Sequence, residues 1–182
     1  MRIKLKALIV GYGSIGKRHF EVLSKNRAID IIDVVSKYGD QKIAKYQELK
    51  DIPDEILSTY SLFIICSETS KHEEQLIYIN QRVVGANILV EKPIANNTIK
   101  IEPQNRILVA YNLRFHPVID KLKALVEGER ILSFNAFVGQ YLPTWRPNTD
   151  YKKCYSASLC KGGGFLGISV MKSIMQCTFV VN

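Results

Sequence analysis

Three glycines near the start of the chain have the types and spacing to hold an anion. Gly11, Gly13 and Gly16 stand in "GYGSIG", a GxGxxG pattern that directly follows the apolar run 6–10. A bound pyrophosphate would use each of them: Gly11 permits a tight turn, Gly13 lets backbone approach the anion, and Gly16 lets the next helix pack close on the strand. Ser14 and Ile15 fall in the first turn of that helix, whose N-terminus faces the negative charge. A glycine turn in some other α/β unit is the bland alternative. A strand before the motif and a helical pattern after it favour the nucleotide site.

Further candidates recur downstream at strand ends. Ser36 and Lys37, in "VVSKYGD", lie about 20 residues past the glycines, where such folds place an acidic residue on the adenine ribose. A serine and a lysine there suit a 2′-phosphate and favour NADP over NAD as cofactor, with a merely solvated Lys37 as the competing reading. Asp40 lies late and reads as a turn residue. In "CSETSKH", Ser67, Thr69 and Ser70 suit helix capping or a phosphate-facing role, and His72 reads either as a ligand or as a structural residue at a helix start. Glu91 and Lys92, followed by Pro93, end another apolar run.

The elements that must position these residues follow from the pattern. Residues 6–10, 28–36, 62–66 and 87–90 are short apolar runs of the kind buried on both faces of a parallel sheet, and helical segments alternate with them. The order β-α-β-α-β-α-β predicts an α/β fold with a doubly wound parallel sheet of the Rossmann type. Open parallel sheets bind ligands at the carboxyl ends of their strands, which is where the candidate residues fall.

Composition narrows the class without deciding it. At 182 residues, with 47% hydrophobic and 23% charged, the chain has material for one core plus part of another. No apolar run reaches membrane-spanning length, so a soluble, cytoplasmic protein with no membrane partner is expected. Cys66, Cys154, Cys160 and Cys177 have neither CxxC spacing nor histidines at ligand intervals, which predicts reduced thiols and no metal site. The net charge of +8 comes without any nucleic-acid recognition motif, and no nucleic-acid partner is expected.

Taken in order, "GYGSIGKRH", "CSETSKH", "EKP", "YNLRFHP", "WRP" with a following Asp-Tyr, and "GGG" resemble the Gfo/Idh/MocA family of NAD(P)-dependent oxidoreductases. The resemblance runs from residue 6 to about residue 166. It implies a Rossmann domain over residues 1–112, then the start of an incomplete α/β open-sheet domain over 113–182 that begins with a strand at 131–138. It also implies hydride transfer to or from the hydroxyl of a sugar or sugar nucleotide. Lys92 would be the catalytic residue beside the nicotinamide, where a cation steadies a developing alkoxide and helps move its proton. Pro93 would follow a cis peptide. Tyr111, Asn112 and Arg114 would lie near cofactor and substrate, and Trp145 and Arg146 would reach toward the sugar or its phosphates. Between "EKP" and "YNLRFHP" the family has a helix, whereas "IANNTIKIEPQNR" here supports a loop or one short turn.

The family's glycine run leads into a segment like GGGVLRDLSHEIDY, whose Asp and His complete the catalytic site. This sequence carries Ile168 and Met171 at those places. With suitable codons for residues 166–175, the neighbouring reading frame encodes Arg-Asp-Phe-Ser-His-Glu-Ile-Asp-Tyr, which matches the family segment. The expectation is therefore a frameshift after Leu166, a second-domain sheet too incomplete to support the family's oligomers, and an alternative role as a catalytically inactive dinucleotide-binding remnant. Source DNA that does not encode the Asp and His in that frame would sink the frameshift.

Overall fold

Four successive apolar side chains cannot share a surface that has one wet face, and Ala7, Leu8, Ile9 and Val10 are all buried. A computed structural model describes residues 5–37, 43–95, 99–102, 104–133, 135, 141 and 150. The chain divides into two compact units, Met1–Ala110 and Tyr111–Asn182.

The first unit is built on five parallel strands: β1 (Leu5–Val10), β2 (Ile29–Val35), β3 (Leu62–Ile65), β4 (Asn87–Val90) and β5 (Arg106–Val109). Their order in the sheet is β2-β1-β3-β4-β5. Beyond β2, Tyr46 makes a single parallel bridge to Val35. A Rossmann sheet carries a strand at that position, and among the described residues this bridge marks it.

Alternation along each strand separates two cores. Leu8, Val10, Phe63, Ile65, Ile88 and Val90 pack on one face with Leu76 and Ile79 of α3 (His72–Arg82). On the other face Ile9, Val34 and Ile64 meet Phe20 and Leu23 of α1 (Ser14–Ser24). Tyr12 and Phe20 close that second core edge to face, with ring centroids 5.9 Å apart. Between β2 and β3 the helical connection is short, a 3₁₀ turn at Leu49–Asp51 and α2 (Asp54–Leu57).

The four expected strands form within a residue or two of their predicted bounds, and β5 is an addition. Residues 93–95 and 99–102 carry no helix, in line with the expected loop, but the chain then re-enters the sheet. Asn105 ties this entry down. Its amide donates to Asn80 Oδ1 at 3.1 Å and to the Val83 carbonyl at 2.7 Å, and its oxygen accepts the Ala86 N–H at 2.9 Å. Asn80 in turn donates to the Glu102 carbonyl at 2.9 Å. These side-chain bonds replace the turn that sequence alone would need for a new strand.

In the second unit a 3₁₀ turn at Asn112–Phe115 precedes α4 (Pro117–Val126). His116 caps this helix by accepting the Val118 N–H on Nδ1 at 3.2 Å, and Pro117 sits at the first helical position, where its missing N–H costs nothing. Residues 131–133 carry no strand, and residues 134 and 136–138 of the predicted strand lie outside the described residues.

Candidate functional site

The order of the sheet reverses between β1 and β3, and the loops leaving the carboxyl ends of those two strands frame the crevice where a ligand of an open parallel sheet binds. Gly11 forms its floor. Its φ of +98° suits glycine, and a Cβ there would come within 2.7 Å of the Ser67 backbone nitrogen. Its N–H donates to the Val35 carbonyl at 2.8 Å, which fixes the turn against β2. A Cβ on Gly16 would stand 2.2 Å from the Gly11 carbonyl oxygen, so α1 lies directly on the turn.

Gly13 differs from both. It caps α1 without any side-chain hydrogen bond, and a Cβ at this position would meet nothing within 4 Å. Gly13, Ser14 and Ile15 are all exposed. The N-terminal end of an eleven-residue helix thus opens onto unobstructed space, with no acidic side chain in its first turn. A dinucleotide's pyrophosphate fits this arrangement, because the orphan N–H groups and helix dipole favour an anion there.

Beneath the floor the Cys66 thiol donates to the Val10 and Gly11 carbonyls at 3.4 and 3.1 Å. Burial, and secondarily the charge of Glu91, push this thiol up to about 12, so it stays protonated and acts as packing rather than as a nucleophile. Among the described residues it is a free thiol, and Cys154, Cys160 and Cys177 lie outside them.

At the end of β2, Ser36 is buried and its N–H donates to the Tyr46 carbonyl at 3.0 Å. The Lys37 ammonium is paired with Glu48, which also pairs with Lys50. Of the two residues expected to meet a 2′-phosphate, Ser36 is thus enclosed and Lys37 has a carboxylate beside it. Asp40 lies outside the described residues.

After β3, the Ser67 hydroxyl donates to Gln75 Oε1 at 2.6 Å, and Thr69 is buried in a 3₁₀ turn at Thr69–Lys71. His72 is 1% exposed, and both ring nitrogens face backbone carbonyls: Nδ1 stands 2.9 Å from Pro93 O and Nε2 stands 3.1 Å from Ser67 O. Both polar atoms of the ring thus face backbone.

After β4, Glu91 Oε1 meets His19 Nε2 of α1 at 2.9 Å, and the Lys92 N–H lies 3.4 Å from Glu91 Oε2. The Lys92–Pro93 peptide is cis, as the resemblance implied. Lys92 itself is half-buried. His19 is the residue that sequence reasoning left out of the site. Its only signal is its place three residues past Gly16, on the helix that leaves the turn.

In the second unit Tyr111 is half-buried while Asn112 and Arg114 are exposed, and the Arg114 guanidinium lies 5.6 Å from the centre of the Tyr111 ring. Trp145, Arg146, Ile168 and Met171 lie outside the described residues. Among the described residues no cluster of His, Cys, Asp or Glu could hold a metal ion, and no helix is long and apolar enough to cross a membrane.

The sequence profile of an oxidoreductase family with an NAD-binding Rossmann fold, Gfo/Idh/MocA, matches residues 5–110. The chain belongs to this family. Among solved structures it is similar to the WlbA (WbpB) dehydrogenase from Thermus thermophilus in complex with NAD and UDP-GlcNAcA, with a TM-score of 0.69 at 18% identity over 95% of this chain and 62% of that one. The WlbA dehydrogenase from Bordetella pertussis in complex with NADH and UDP-GlcNAcA follows with 0.57 at 18% identity, over 69% of this chain and 42% of that one. The scyllo-inositol dehydrogenase from Lactobacillus casei gives 0.55 at 18% identity, over 70% and 42%. This Gfo/Idh/MocA chain thus spans less than two thirds of the length of each of these structures. No curated protein sequence matches it.

Proposed function

We propose that the first unit binds NAD(H) across the β1/β3 crevice and that Lys92 serves hydride transfer at the hydroxyl of a sugar or sugar nucleotide. The open space above Gly13, on an uncapped helix end, is the observation that supports this most. Gly11, Gly13, Ser14 and Ile15 would hold the pyrophosphate, while Glu91 and Lys92, at the end of β4, would lie toward the nicotinamide end. When bound, the nicotinamide supplies the hydride acceptor or donor. Lys92 would orient the reacting hydroxyl and stabilise the alkoxide as its proton moves. The pairing of Lys37 with Glu48 favours NAD over NADP, since a carboxylate beside the ribose repels a 2′-phosphate. The sugar-nucleotide class is suggested by the two WlbA dehydrogenases in complex with UDP-GlcNAcA, and Tyr111, Asn112, Arg114, Trp145 and Arg146 are the substrate-side candidates.

A second reading has its own observation. With Ile168 and Met171 where the family's Asp and His are expected, the chain binds dinucleotide without turning substrate over. Calorimetric titration with NADH and NADPH, followed by turnover assays with UDP-sugar acids, separates these readings. NADH binding tighter than NADPH, with Lys92-dependent turnover, supports the first; binding without turnover supports the second. Absence of binding to either dinucleotide overturns both.

A further inference from the structure

The loops that carry the cofactor turn and Lys92 leave different strands, and one side chain joins them. Resting on the dinucleotide reading above, we propose that His72 is a positioning residue whose buried imidazole straps the Ser67 carbonyl to the Pro93 carbonyl, so that the glycine turn and Lys92 are held as one unit.

The connections run without a gap. Gly11 packs on the Ser67 backbone so closely that a Cβ would stand 2.7 Å from its nitrogen. Ser67 offers its carbonyl to His72 Nε2 at 3.1 Å, and Nδ1 reaches the Pro93 carbonyl at 2.9 Å, one residue past Lys92. The 3₁₀ turn at Thr69–Lys71 brings the first residue of α3 back over Ser67, five positions earlier. Bulk alone does not explain a histidine at this place. Leucine or phenylalanine would fill the space equally well but would leave both carbonyls facing an apolar surface. An imidazole carries two nitrogens that point away from each other on a rigid ring, and with a proton on each it donates to acceptors on two different loops at once.

The strap predicts that the two contacts have separable consequences. An asparagine places its amide nitrogen near the position of Nδ1, and a glutamine places its nitrogen near Nε2. His72→Asn therefore keeps the hold on Pro93, and His72→Gln keeps the hold on Ser67 while releasing the Lys92 loop. The test uses the full chain and follows three quantities: thermal midpoint, NADH affinity by calorimetry, and the rate at which an amine-reactive reagent labels Lys92, read by peptide mass spectrometry with and without NADH. In the parent and in His72→Asn, NADH slows labelling of Lys92. In His72→Gln NADH still binds, but its protection of Lys92 falls by roughly tenfold, the scale on which small misplacements of a reacting group are felt.

Equal protection in the two variants, or a loss that merely follows their thermal midpoints, overturns the strap and leaves His72 as packing. If the parent binds neither NADH nor NADPH, the cofactor reading fails, and labelling without dinucleotide still decides the strap. Faster labelling in His72→Gln than in His72→Asn then supports it, and equal rates overturn it. Should neither variant fold, the His72 ring resonances of the parent decide: a shift on adding NADH supports the strap, and silence overturns it.

Discussion

The floor of the crevice and its outer corner are built on different principles. On the floor, backbone meets backbone: Gly11 and Gly16 leave no room for a Cβ against Ser67 and the Gly11 carbonyl. At the corner after β4, side chains hold the loop, with His19 on Glu91 and His72 on Pro93. Steric closeness tolerates almost no change, whereas hydrogen bonds can be weakened one at a time. Substitutions on the floor should therefore act on folding, and substitutions at the corner on geometry.

Gly16→Ala is the harshest test of that contrast. Its methyl group would sit 2.2 Å from a backbone oxygen, and neither the turn nor α1 can move without disturbing Phe20 and Leu23. A loss of about 3 kcal/mol in urea denaturation is expected, near the upper end for overpacking. A loss below about 1 kcal/mol, within the range of ordinary substitutions, would mean that the floor yields and that the contrast is wrong.

Cys66 belongs to the floor but feels the corner. Burial and the Glu91 charge raise its thiol from 9.0 to about 12. The folded protein therefore holds this proton more tightly than the unfolded chain does. The stabilisation is complete below about 9 and is lost as pH rises toward 12. Parent and Cys66→Ala should converge by about 2 kcal/mol between pH 8 and 11, as measured by denaturant midpoints at each pH. Glu91→Gln should reduce that convergence slightly, because it removes the smaller of the two causes. Stability differences that stay parallel with pH would place the thiol in contact with water.

How much of this was legible in the sequence depends on the range of the interaction. The glycine turn could be read because its demands are local: a strand, a tight turn and a helix follow one another within a few residues. The four apolar runs read as strands were legible for the same reason. β5 was not, because "RILV" lies at the sheet edge with Leu108 exposed, and is anchored by Asn105 to Asn80 and Val83, more than 20 residues earlier. Nor could Ser36 and Lys37 reveal that Glu48 would fold back beside them. The cis peptide at Pro93 came from family resemblance, and no periodicity implies it.

His19 illustrates the same gap and gives the next prediction. Seventy-two positions separate it from Glu91, and only the docking of α1 on the sheet brings them to 2.9 Å. Both side chains are mostly shielded, at 21% and 16% exposure, so the contact is worth more than an open surface pair. His19→Ala should cost about 1 kcal/mol of stability and also weaken NADH binding, since Glu91 loses its tether. Loss of stability with unchanged NADH affinity would detach Glu91 from the cofactor end of the site.

Gly13→Ala should have the smallest effect on folding and sharpens the contrast most. The residue sits at φ −74° and ψ −165°, an extended conformation that alanine adopts freely, and its added methyl would meet nothing within 4 Å. Replacing glycine by alanine at such a site restricts the unfolded chain and stabilises by about 0.5 kcal/mol, but alanine is a poorer helix cap by a similar amount. The two nearly cancel, and the denaturation midpoint should stay where it is. Dinucleotide binding should not: the methyl occupies the space through which a pyrophosphate would approach the end of α1, and NADH affinity should fall roughly tenfold, about 1.4 kcal/mol. An open position that can be filled with no cost to folding and a large cost to binding is what separates a ligand cradle from a merely tight turn. If NADH affinity survives Gly13→Ala, the glycine serves the fold, and the pyrophosphate must be held elsewhere along the β1/β3 crevice.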